Sequence, residues 1–151
     1  MTETELQRLL DQGVELGAAP AAALALWPGQ GPAVVLAAGL AGPETVFDLA
    51  SLTKPLAAAA LAAELGAAGL LPWDEGLGEL WGEGVPADKA PITVRQLLAH
   101  ASGLPAHRPY YTILEGRPAP VRRGLVKAML LNEPLEAAPG ERALYSDLGY
   151  M

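Results

Sequence analysis

Ser51 and Lys54 stand three residues apart in the stretch Phe47-Asp48-Leu49-Ala50-Ser51-Leu52-Thr53-Lys54-Pro55. On a helical turn such a pair shares one face, so an amine is brought beside a hydroxyl. Serine is a weak nucleophile until a base removes its proton. Lysine can be that base only in its neutral form. Burial, with the positive end of a helix nearby, lowers an amine's pKa towards that state. The spacing alone is weak, because it arises by chance in roughly a third to a half of chains this long. Its place, where an extended pattern gives way to a helical one, strengthens it.

The surrounding elements follow from periodicity and punctuation. Residues 3–17 predict a helix, with Thr4 or Thr2 as cap and Leu6, Leu9, Leu10, Val14 and Leu16 on one side. Gly17 and Pro20 end it. The apolar runs 21–27 and 33–40, joined by Pro28-Gly29-Gln30-Gly31-Pro32, predict an antiparallel hairpin. Residues 45–47 approach Ser51 in extended form. The run 55–70 carries one charge, Glu64, which predicts a buried helix with Ser51 at its start. Pro55 disturbs that start locally. Residues 73–86 predict a loop with a short helical turn, and 94–100 a helix capped by Thr93. Residues 106–117 predict a long loop, 118–131 a helix with Arg122, Arg123 and Lys127 towards solvent, and 132–143 another loop. Ser146 or Asp147 has the character of an N-cap. One hairpin is a marginal sheet with unpaired edges, so the pattern predicts part of a larger fold.

Composition narrows the function classes. Hydrophobic residues make up 51% of the 151, enough for one domain with a core. The net charge is −7 with 10 Lys and Arg, and no basic block interleaves with aromatics, which disfavours nucleic-acid binding. The absence of cysteine removes disulfides, thiolate metal sites and a cysteine nucleophile. His100 and His107 are not at metal-ligand spacing, so no metal and no cofactor is expected. The acidic start has no secretory pattern, and the longest charge-free run after Lys54 is far below the roughly 20 residues of a membrane span. The expectation is a cytoplasmic chain that does not enter a membrane.

Three motifs occur in order: Phe47-Asp48-Leu49-Ala50-Ser51-Leu52-Thr53-Lys54, then Ile92-Thr93-Val94-Arg95-Gln96-Leu97-Leu98-Ala99-His100-Ala101-Ser102-Gly103-Leu104, then Pro139-Gly140 and Tyr145-Ser146-Asp147-Leu148-Gly149-Tyr150. Together they resemble the serine beta-lactamase-like family: class C beta-lactamases, low-molecular-weight penicillin-binding proteins and related esterases. The resemblance implies an α+β fold with helices packed on an antiparallel sheet, present here as an N-terminal portion. It implies that Ser51 is the acylated nucleophile, Lys54 its activator and Tyr145 the proton relay to and from the leaving group. Asp147 stands where the family more often has a substrate-binding asparagine. A carboxylate there can pair with Lys54, keep it charged and shift the base role to Tyr145. The resemblance makes 92–104 structural, with His100 a packing histidine and Ser102 a helix-end residue. His107, Tyr110 and Tyr111 fall in a loop that rims the pocket in this family, and are expected to be exposed or packed.

The family's third element, a Lys-Thr-Gly or His-x-Gly strand, has no counterpart among these residues. That strand donates one of two oxyanion-hole N–H groups, each typically worth about 10²–10³ in rate. Two expectations follow for residues 1–151 as a single, truncated domain. One is a serine hydrolase acting on a small-molecule ester or amide (a beta-lactam, peptide or carboxylic ester) through an acyl-enzyme on Ser51. The other is a catalytically incomplete fragment or degenerate member, completed by self-association or by another chain.

Overall fold

The computed structural model describes residues 1–151. They group into two compact units, Met1–Leu49 and Ala50–Met151. No helix is long and apolar enough to cross a membrane.

In the first unit, helix α1 (Glu3–Glu15) begins at Thr2, not Thr4. The Thr2 hydroxyl accepts from the Glu5 N–H at 3.2 Å, and the Glu5 carboxylate accepts from the Thr2 N–H at 2.7 Å. This reciprocal box satisfies two of the donors a helix start leaves free. Leu6, Leu10 and Val14, spaced by four, are half-buried, whereas Leu9 and Leu16 are exposed. The apolar stripe is therefore narrower than the periodicity predicts. Strands β1 (Ala21–Leu26) and β2 (Val34–Gly39) pair antiparallel, with Ala21 opposite Gly39 and Leu26 opposite Val34. The Gln7 side-chain amide donates to the Ala37 carbonyl at 2.9 Å and ties α1 to β2. This α+β arrangement of helix on two-stranded sheet is the predicted one.

In the second unit, a 3₁₀ turn at Ala50–Leu52 leads into wider, π-type winding at Lys54–Ala59 and then helix α2 (Ala60–Ala67). Pro55 explains the irregular start, since it has no N–H to offer the preceding turn. The Ala60 N–H reaches back to the Pro55 carbonyl, five residues away. The expectation that this helix is buried is not met. Ala62 is buried, but Leu56 and Leu61 are 64% and 60% exposed. An apolar sequence implies burial only where another element packs over it, and that face carries no such cover.

Helices α3 (Leu77–Trp81), α4 (Val94–Leu98), α5 (Tyr111–Leu114) and α6 (Ala119–Asn132) complete the unit. α4 starts with a second capping box, between Thr93 and Gln96. α5 lies inside the stretch predicted to be loop. It is a single short turn, and its four residues carry no periodic signal. Leu104, Tyr110, Leu130 and Leu148 form the core, with Leu97, Val126, Met129 and Leu135 packed around them.

Gly103 joins α4 to this core. Its φ is +81°, and a Cβ there would collide with the Ala137 carbonyl oxygen. Gly103→Ala is expected to destabilise the chain by at least about 1 kcal/mol, read as a lower urea midpoint at unchanged slope. An unchanged midpoint would contradict this account of the turn.

Candidate active site

Tyr145 and Asp147 lie on an irregular segment, so their placement depends on what that segment is tied to. It runs beside residues 100–106 and is fastened to them repeatedly. The Glu136 N–H donates to the Gly103 carbonyl at 2.8 Å, Gly140 to Ala101 at 2.8 Å, and Leu144 to His100 at 2.8 Å. Further on, the Ser146 N–H donates to His100 Nδ1 at 3.0 Å, and the buried Ser146 hydroxyl donates to the Pro105 carbonyl at 2.6 Å. The Asp147 N–H donates to the Ala106 carbonyl at 2.8 Å. Leu148, 1% exposed, plugs the next residue into the core. Ser146, not Asp147, supplies the cap of the last turn, accepting from the Gly149 N–H at 3.3 Å.

His100 is the hinge of this clamp. Its φ is +57°, a left-handed conformation that ends α4 where glycine or asparagine is usual. Its ring stacks on Tyr145 at 4.5 Å and on Tyr150 at 5.1 Å between centroids. It is a packing histidine, and it orients Tyr145. On the facing side, Ala50 has φ +43°. For a residue with a Cβ this costs of order 1–2 kcal/mol. Strain directly before Ser51 is the kind of feature that accumulates where a side chain must be aimed.

These devices bring together the four residues singled out from sequence. Lys54 Nζ donates to Ser51 Oγ at 3.2 Å, and the Tyr145 hydroxyl bonds Ser51 Oγ at 2.7 Å. Lys54 Nζ also donates to Asp147 Oδ1 at 2.6 Å, a salt bridge across 93 residues of chain. It lies 5.0 Å from the centre of the Tyr145 ring. Ser51 thus sits between an ammonium and a phenol.

The charges fall differently from the simplest expectation for a Ser-Lys pair. Asp147, and next Tyr145, hold the Lys54 amine above its ordinary value, and burial opposes them only in part. These contacts favour the charged form of Lys54 over the neutral one. The Tyr145 phenol is pulled down, first by its bond to Ser51 and then by Lys54. The Asp147 carboxyl is held down by Lys54 and then by His107. By contrast, burial and Glu133 push the Tyr110 phenol up to about 12, so the two tyrosines are shifted in opposite directions.

The loop residues meet the expectations in part. Tyr110 is packed and Tyr111 is exposed. His107 is half-exposed but not free. Its Nδ1 lies 3.1 Å from Asp147 Oδ2, a contact that the sequence does not predict. Asp147 therefore bridges Lys54 and His107.

Comparison with known proteins shows the family and the fold. The family model described as Beta-lactamase matches residues 6–151. Penicillin-binding protein 4* of Bacillus subtilis (strain 168) is 33% identical over 110 residues, which are 71% of this chain and 23% of that protein. A D-stereospecific amidohydrolase from Streptomyces sp. superposes with a TM-score of 0.76 at 25% identity, over 99% of this chain and 46% of its own. The D-amino acid amidase from Ochrobactrum anthropi SV3 complexed with D-phenylalanine gives 0.74 at 25% identity, over 97% and 42%. The chain thus spans under half the length of these relatives.

The ion pair makes stability depend on pH with a definite sign. Asp147, with its carboxyl depressed in the fold, stabilises above the ordinary 3.8, and this is lost as pH falls through its lowered value. Lys54, with its amine raised, stabilises below the ordinary 10.5, and this is lost as pH rises through its raised value. The gap in urea midpoint between wild type and Asp147→Asn is expected to be widest between those limits and to close in acid. A gap independent of pH would mean that the pair does not exist in solution.

Proposed function

This chain belongs to the beta-lactamase family, and on that premise we propose that it transfers the acyl group of an ester or amide to Ser51. The observation that carries the reading is the placing of Ser51 Oγ within 3.2 Å of Lys54 Nζ and 2.7 Å of the Tyr145 oxygen. The Tyr145 phenolate, stabilised by the Lys54 ammonium, takes the Ser51 proton as Oγ attacks the carbonyl carbon. The tetrahedral intermediate collapses when Tyr145 returns that proton to the departing amine or alkoxide. An acyl-Ser51 ester remains. Tyr145 then takes a proton from water, the hydroxide adds to the ester, and the acid leaves as Ser51 regains a proton. Lys54 keeps its charge throughout and acts on the developing anions. Asp147 orients Lys54 and presents its exposed edge to substrate. The amidohydrolase and amidase likenesses support an amide among the substrates.

A second reading concerns completeness. The relatives are more than twice as long, and the apolar faces at Leu56 and Leu61 lie open. We infer that residues 1–151 can acylate but need further sheet, from another segment, a second copy or another chain, for sustained turnover.

A fluorescent penicillin and a short-chain p-nitrophenyl ester test both readings. The expected result is covalent labelling seen by intact mass, abolished in Ser51→Ala and slowed by about 10²–10⁴ in Tyr145→Phe. Labelling that survives Ser51→Ala, or no labelling at all, would overturn the acyl-enzyme reading. Sustained turnover by the isolated chain, lost in Ser51→Ala, would overturn the second.

A further inference from the structure

Asp147 has two partners in the site, and the second is unassigned. Its Oδ1 is 2.6 Å from Lys54 Nζ, and its Oδ2 is 3.1 Å from His107 Nδ1. Lys54 and His107 hold the carboxyl ionised, so it can only accept. Nδ1 must therefore carry a hydrogen and donate it. A carboxylate held by one oxygen alone is free to rotate, whereas one held at both is fixed.

The loop bearing His107 is built to keep this contact. Just before it, the Pro105 and Ala106 carbonyls take the Ser146 hydroxyl at 2.6 Å and the Asp147 N–H at 2.8 Å. Just after it, Arg108 is anchored on Glu133 at 2.8 Å, and its Nη1 also donates to the His107 carbonyl at 3.0 Å. Tyr110 adds a bond to the same Glu133 at 2.8 Å. The charged groups around the imidazole are thus Asp147 in direct contact, Lys54 beyond it, and the Arg108 guanidinium on the backbone side.

We propose that His107 is a positioning residue: its Nδ1–H holds Asp147 in the bridging pose, which fixes Lys54 and sets how easily Tyr145 gives up its proton. The inference rests on the reading of Tyr145 as proton carrier. Asp147 opposes ionisation of Tyr145 while Lys54 favours it. Without the His107 donor, the negative charge of Asp147 is less compensated, and Tyr145 becomes harder to ionise.

The test compares wild type with His107→Ala and His107→Asn. Asparagine places a neutral N–H close to where Nδ1 was, so it separates the donor from mere bulk. Tyr145 ionisation is followed by ultraviolet difference absorbance, using Tyr145→Phe to subtract the other three of the four tyrosines. Ser51 labelling by the fluorescent penicillin is followed in parallel. Circular dichroism checks that the variants fold, as they should with a half-exposed residue. His107→Ala is expected to move Tyr145 ionisation to higher pH and to slow labelling by about tenfold, the scale of one hydrogen bond to a charged group. His107→Asn is expected to recover most of both. An unchanged Tyr145 titration in His107→Ala overturns the proposal, as does an asparagine variant that behaves like alanine. If wild type does not label, the acyl-enzyme reading fails, and the Tyr145 titration still decides the role of His107.

Discussion

The salt bridge between Lys54 and Asp147 is the constraint on which the site depends. A lysine beside a serine has two possible uses: neutral, it is a base; charged, it is an electrostatic support. A carboxylate 2.6 Å from the amine selects the second. With Lys54 charged, the phenol 2.7 Å from Ser51 is the group to which the proposed mechanism gives the proton, because the same cation lowers the cost of its ionisation. In the proposed mechanism, one acidic side chain thus sets the division of labour between an amine and a phenol. The pair is partly exposed, with Lys54 at 15% and Asp147 at 34%. Its value lies in directing charge more than in holding the fold together.

That bridge exists only because two distant segments are held in register. Residues 136–148 have almost no regular structure, yet their backbone is bonded again and again to residues 100–106. The buried Ser146 and Leu148 flank Asp147 and leave it little freedom. His100 adopts a left-handed backbone to turn out of α4, and its ring and Nδ1 then serve Tyr145 and Ser146 at once. The stretch read as structural holds the candidate site residues in place.

The clustering of the candidate site residues is more legible in the sequence than the packing. Ser51 and Lys54 are close in sequence, and local geometry alone brings them together. Tyr145 and the pairing of Asp147 with Lys54 were reachable through the motifs that resemble the family, since spacing says nothing about contacts 93 residues apart. The His107 contact left no local signal. It is made by backbone pairing between Ala106 and Asp147, and only the folded chain reveals it. The run after Pro55 departs from expectation for another reason. Its composition records a capacity for burial, but burial needs a covering element, and Leu56 and Leu61 have none. The left-handed backbone at Ala50 and His100 was also illegible, because neither residue type advertises it.

The charge of Lys54 is the point on which the account turns. It can be measured by following the Lys54 side-chain carbon and nitrogen resonances through an alkaline titration, alongside the Tyr145 ring. The account predicts that Lys54 keeps its proton beyond the ordinary lysine value of 10.5, and that Tyr145 ionises first. A Lys54 amine that becomes neutral below that value, while Tyr145 remains protonated, would contradict it and return the base role to the lysine.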